Sequence, residues 1–154
     1  MDIAALIFWI ATAGGGFYLL GTWIAKGGAR GESNFPPPLI LGHFALAAVG
    51  LIVWIVYVAS DSDAAGWIAF VLLAAVALLG FTMFARWVPT YRAGRTPSAT
   101  TSGGGSGTAT SNVATQTTTA VAPAERHFPL VIVLGHGLLA ATTLVLVLLA
   151  VLGS

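Results

Sequence analysis

Four apolar runs, at about residues 3–25, 37–59, 64–88 and 128–153, set the frame of this 154-residue chain. A helix rising 1.5 Å per residue needs about 20 such residues to cross a hydrocarbon core roughly 30 Å thick. No run carries Asp, Glu or Lys in its interior. Arg86 alone lies inside one, close enough to its end for the guanidinium to reach the interface. Backbone polar groups in lipid must pair within the chain, so runs of this length predict helices. The fold class expected is an all-α integral membrane protein, a bundle of four transmembrane helices.

Composition agrees: 57% of residues are hydrophobic and 7% charged, against about 25% charged in a soluble domain. The chain has no cysteine, which excludes disulfides, thiolate metal sites, iron–sulfur clusters, c-type haem attachment and a cysteine nucleophile. The first run lacks a basic leader and a small-residue cleavage site, and its apolar core is too long for a signal peptide, so it is expected to stay as a helix.

Charge placement gives an expected orientation. With four spans, the Lys26–Asn34 and Pro89–Arg126 connections share one side, and the termini and the turn at residues 60–63 share the other. All six basic residues, Lys26, Arg30, Arg86, Arg92, Arg95 and Arg126, fall on the first side. The second side carries Asp2, Asp61 and Asp63. The positive-inside rule then puts both termini outside and the longer loops in the cytoplasm, in a bacterial plasma membrane.

Proline marks the start of the second helix, where first-turn N–H groups are unpaired anyway. Asp61-Ser62-Asp63 offers N-caps for the third helix, which is expected to end before Pro89. Trp9, Trp23, Trp54, Trp67, Trp87, Tyr18 and Tyr57 lie toward span ends, as interfacial anchors do. The unit 1–90 holds three helices, and 127–154 adds the fourth to the same bundle. Between them, residues 91–126 are rich in Thr, Ser and Gly with few bulky apolar residues; a disordered cytoplasmic linker is expected there.

Two stretches are nearly the same. Phe35-Pro36 is followed by Leu41-Gly42-His43, and Phe128-Pro129 by Leu134-Gly135-His136. Upstream of each, Gly16-Phe17 precedes Gly21 and Trp23-Ile24, and Gly80-Phe81 precedes Ala85 and Trp87-Val88. The pattern predicts a tandem repeat of a two-helix hairpin, with a pseudo-twofold axis along the membrane normal. Chance matching of short apolar motifs is the alternative.

His43 and His136 are the candidate site. An imidazole in hydrocarbon is costly unless paired. Both lie at one depth, on stripes His43, Leu46, Ala47, Gly50 and His136, Leu139, Ala140, Thr143. Gly14-Gly15-Gly16 in the first helix suggests close packing against a helix or a cofactor. Two imidazoles facing across an axis suit the axial positions of haem b, with Lys26, Arg86, Arg92 or Arg126 available to the propionates. The arrangement resembles membrane b-type cytochromes, whose ligands come from two parallel helices separated by one span. That resemblance implies one haem iron bound by His43 and His136 in a small redox subunit, although those families usually stack two haems and this chain has one histidine pair. The competing expectation is a non-catalytic accessory or scaffold subunit with structural histidines. A zinc or copper site lacks completing carboxylates or thiols, and His127 reads as an interfacial residue beside Arg126.

Other chemistries find no support. There is no intramembrane acid for a proton-coupled pump, no serine in a span core for proteolysis, and no hydrolytic or transferase constellation; as an enzyme the chain is an electron carrier at most. Gly103–Gly107 does not form a phosphate loop after a strand. The expected partners are the lipid bilayer and other membrane subunits or a second copy, and not nucleic acid.

Overall fold

In a computed structural model of the chain, the residues described are 1–93 and 122–153. Four long helices dominate: α1 (Asp2–Ala25), α2 (Pro37–Ser60), α3 (Asp63–Ala93) and α4 (Leu130–Leu152). Short 3-10 turns at Gly28–Arg30 and Ala124–His127 complete the described elements, and there is no strand among them. All four helices are long and apolar enough to cross a membrane.

Pro36 and Pro129, both extended, cap the starts of α2 and α4. At its other end α2 is closed by Asp61, in the left-handed region at φ 50°, whose N–H donates to the Tyr57 carbonyl. Asp61 therefore terminates α2 instead of capping α3, which begins at Asp63.

Helix α3 does not stop before Pro89. It runs 31 residues, with the proline inside it. At 1.5 Å per residue that is about 46 Å, longer than a hydrocarbon core of about 30 Å, so a helix of this length crossing such a core would carry its last turns past the apolar layer. There water can satisfy the carbonyl that proline leaves unpaired. Trp87 stacks on Tyr91 across the proline, ring centres 4.7 Å apart, and holds the final turn in register.

Helix α2 packs along α3 and α1 along α4, while α3 against α4 and α1 against α2 close the ring. Helices α2 and α4 therefore face each other across the bundle. One end of the bundle carries the chain start, the α2–α3 turn and the α4 terminus (the terminal end). The other carries the α1–α2 connection and the approach to α4 (the loop end).

Two packed layers hold the helices together. At the terminal end, Trp9, Trp54 and Tyr57 pack with Ala69, Leu73 and Val147. At the loop end, Trp23, Phe35, Ile40, Trp87 and Phe128 form the second layer. Four of the five tryptophans, expected as interfacial anchors, are instead buried inside the bundle. For three of them the indole N–H finds a partner: Trp23 donates to Ser33 Oγ, Trp54 to the Asp2 carbonyl and Trp87 to the Glu125 carbonyl. Trp67 and Tyr18 remain exposed, as do Ile3, Ile52, Leu78, Phe81 and Val131. An apolar exterior of this kind suits lipid contact.

Candidate functional site

Between the two aromatic layers the bundle is less tightly closed. No residue is buried at 10–22 of α1, 41–49 of α2, 77–86 of α3 or 130–142 of α4. His43 and His136 lie in this middle level, each half-buried. They come from the facing helices α2 and α4, and their rings are 6.4 Å apart between centres, with planes inclined at 59°. The structure thus brings together the two histidines singled out in the sequence, although they are separated by most of the chain.

Each imidazole is anchored by one backbone carbonyl. His136 Nδ1 is 2.9 Å from the carbonyl oxygen of Thr12 on α1. His43 Nδ1 is 3.1 Å from that of Val76 on α3. A carbonyl only accepts, so Nδ1 carries the proton and donates in both rings. That tautomer leaves the Nε2 lone pair of each histidine as a potential metal-binding site.

Glycine allows the approach. A Cβ at Gly16 would meet His136 Cε1 at 3.2 Å, and one at Gly80 would meet His43 Cε1 at the same 3.2 Å. Gly15 also faces His136, at 3.4 Å from Nδ1, whereas a Cβ at Gly14 would meet nothing within 4 Å. The glycine triplet therefore serves a histidine, through two of its three members. The stripes beneath the histidines turn inward, ending in the buried Gly50 and Thr143. Thr143 Oγ1 donates to the Leu139 carbonyl and lies 3.4 Å from Thr12 Oγ1.

Among the described residues no group of three or more His, Asp or Glu comes together. The donor set at this level is two imidazoles, which fits a metal whose remaining ligands come from a macrocycle better than an all-protein site.

Above the histidines, toward the loop end, lies a residue the sequence did not mark. Glu125, in the 3-10 turn before α4, is fully buried. Its Oε2 accepts from Ser33 Oγ at 2.8 Å and its Oε1 from the Asn34 N–H at 2.8 Å. The neighbouring Ala124 N–H donates to the Glu32 carbonyl at 2.7 Å. These bonds tie the approach to α4 onto the α1–α2 connection, and Phe35 and Phe128 meet there with ring centres 6.3 Å apart.

The basic residues proposed for anionic groups lie at the same end. Lys26, Arg86, Arg92 and Arg126 are exposed, and Arg86 donates to the Asn34 carbonyl at 2.8 Å. A cavity of about 350 Å³ is lined there by Asn34, Pro89, Thr90, Ala93, Pro123 and Arg126. It is separate from the histidine pair. His127 is exposed, its Nδ1 3.3 Å from the Ala124 carbonyl oxygen. Of the segment 91–126, Tyr91 to Ala93 belong to α3 and the last residues to the 3-10 turn; 94–121 lie outside the described residues.

The chain matches no family model, no curated protein and no solved structure.

Proposed function

We propose that this chain is a membrane-embedded b-type haem protein and an electron carrier, its iron held between His43 and His136. The observation that carries this reading is the spacing of the two rings. Metal–imidazole bonds of about 2.0–2.1 Å on opposite sides of one metal put the ring centres about 6–6.5 Å apart. The separation here is 6.4 Å. The Nδ1–carbonyl bonds support it, because a metal-bound histidine commonly donates its other N–H to such an acceptor. The middle level between the aromatic layers, where no residue is fully buried, is where His43 and His136 would hold such a group. Bound haem would supply one-electron chemistry at the iron. The chain contributes two neutral ligands, a low-polarity surrounding and a cationic end at Lys26, Arg86, Arg92 and Arg126 for propionates.

The proposal includes the tandem repeat and the orientation. In support of a repeated hairpin, α1 uses Thr12, Gly16 and Trp23 as α3 uses Val76, Gly80 and Trp87. In the same way Phe35 precedes α2 and His43 lies within it, as Phe128 precedes α4 and His136 lies within it. The loop end, which holds every basic residue among those described, faces the cytoplasm. One haem near that face reaches a donor or acceptor on the same side, and transfer to the other face needs a quinone, a partner subunit or a second copy.

The test is an absorption spectrum of protein purified after expression with ample haem. A dithionite-reduced α-band is expected, and it should vanish in both His43→Ala and His136→Ala. Colourless wild-type protein overturns the proposal. If such protein also loses its fold in both variants, the histidines serve the bundle alone, as in an accessory or scaffold subunit.

A further inference from the structure

We infer that Gly16 and Gly80 are positioning residues that hold each histidine in its ligand-ready tautomer by baring the Thr12 and Val76 carbonyls. In an α-helix the carbonyl of residue i points at the N–H of residue i+4, so a side chain at i+4 crowds its free lone pair. Gly16 stands four residues after Thr12, and Gly80 four after Val76. With no Cβ there, each carbonyl is open to an imidazole from the helix packed alongside. The margin is narrow, since a Cβ at either glycine would sit 3.2 Å from the Cε1 of the bound ring. A methyl forces the ring back by a few tenths of an ångström, and a branched side chain covers the carbonyl.

Helix α1 goes further than α3. Thr12 is followed by glycine at both i+3 and i+4, where Val76 has Leu79 and Gly80. The two bonds are 2.9 Å at His136 and 3.1 Å at His43. A firm Nδ1–H donor bond makes imidazole a more basic ligand and favours the more oxidised iron. The glycines thus set the potential of the proposed haem as well as its seating. This second consequence rests on the haem reading; the first does not.

The experiment takes the full-length chain, labelled with ¹⁵N-histidine, in detergent and reduced with dithionite. It compares wild type with Gly16→Ala, Gly16→Val, Gly80→Ala and Gly80→Val. Exchange of the His136 Nδ1–H should accelerate in the Gly16 variants, by about tenfold for Val, as for loss of one net hydrogen bond. His43 should respond only to the Gly80 variants. The Ala variants should show the same ring-specific change to a smaller degree, which keeps the test valid should either Val variant fail to fold. Gly14→Ala, with nothing near its Cβ, should leave both rings unchanged. In haem-loaded protein the midpoint potential should rise in the Gly16 and Gly80 variants and stay put in Gly14→Ala. Unchanged exchange at the facing ring in folded Gly16 and Gly80 variants overturns the inference. Wild type without haem removes the proposed function and leaves the exchange result to decide the positioning role.

Discussion

Glu125 is the residue on which the loop end depends. Its carboxylate accepts from Ser33 Oγ and from the Asn34 N–H, and Ser33 Oγ accepts in turn from Trp23 Nε1 and the Phe35 N–H. Removing it leaves two part-buried donors, Ser33 Oγ and the Asn34 N–H, without this acceptor, at up to about 1–3 kcal/mol each. Glu125→Ala should therefore lower unfolding free energy by about 3 kcal/mol, read from denaturant or thermal unfolding in detergent. Glu125→Gln keeps the shape but turns an amide N–H₂ toward a donor, and should fall between wild type and Ala. Local sequence gave no hint of this role, because the acid follows a polar segment and its partners lie about ninety residues earlier. The histidines were different. An imidazole in an apolar run is conspicuous by its cost, and two at matched offsets mark a candidate site without any structure. What could not be read was the partner of each ring, a bare main-chain carbonyl with no signature except the glycine four residues later.

Helix boundaries followed local rules where backbone chemistry alone decides them. Prolines at the start of α2 and α4 and the tight turn after Ser60 were legible for that reason. The end of α3 was not: the helix continues through Pro89, where Trp87 stacks on Tyr91 and tertiary packing anchors Trp87 on the Glu125 carbonyl. Tyr91→Ala should fray the turn beyond Pro89 and speed amide exchange there, with little effect on the rest of α3. The α2–α3 turn holds Asp61 at φ 50°. A left-handed residue costs roughly 1–2 kcal/mol when it has a Cβ, least for Asp or Asn and most for β-branched side chains. Asp61→Val should accordingly destabilise the protein by about 1–2 kcal/mol in thermal unfolding, while Asp61→Asn stays near wild type.

For the molecule as a whole, the apolar exterior and the segregated charges describe a body built for a bilayer. Orientation has a direct test, since the chain carries no native cysteine. Ser62→Cys should react with a membrane-impermeant maleimide on intact cells, and Ala29→Cys only after permeabilisation; the reverse pattern would invert the proposed topology. Packing in lipid has no hydrophobic drive between helices, so the bundle relies on shape and on buried hydrogen bonds. Both are concentrated in the aromatic layers on either side of the histidines.

The sequence by itself determined four helices long and apolar enough to cross a membrane, and the matched offsets of His43 and His136 from the starts of their helices, because run length and helical rise are local quantities. Only the tertiary structure decided that α2 and α4 face each other across the bundle, that the rings stand 6.4 Å apart, and that Thr12 and Val76 fix their tautomer. Those facts depend on how apolar faces of similar composition choose among neighbours, a choice made by side-chain shape and by which carbonyls are left bare. Hydropathy carries neither.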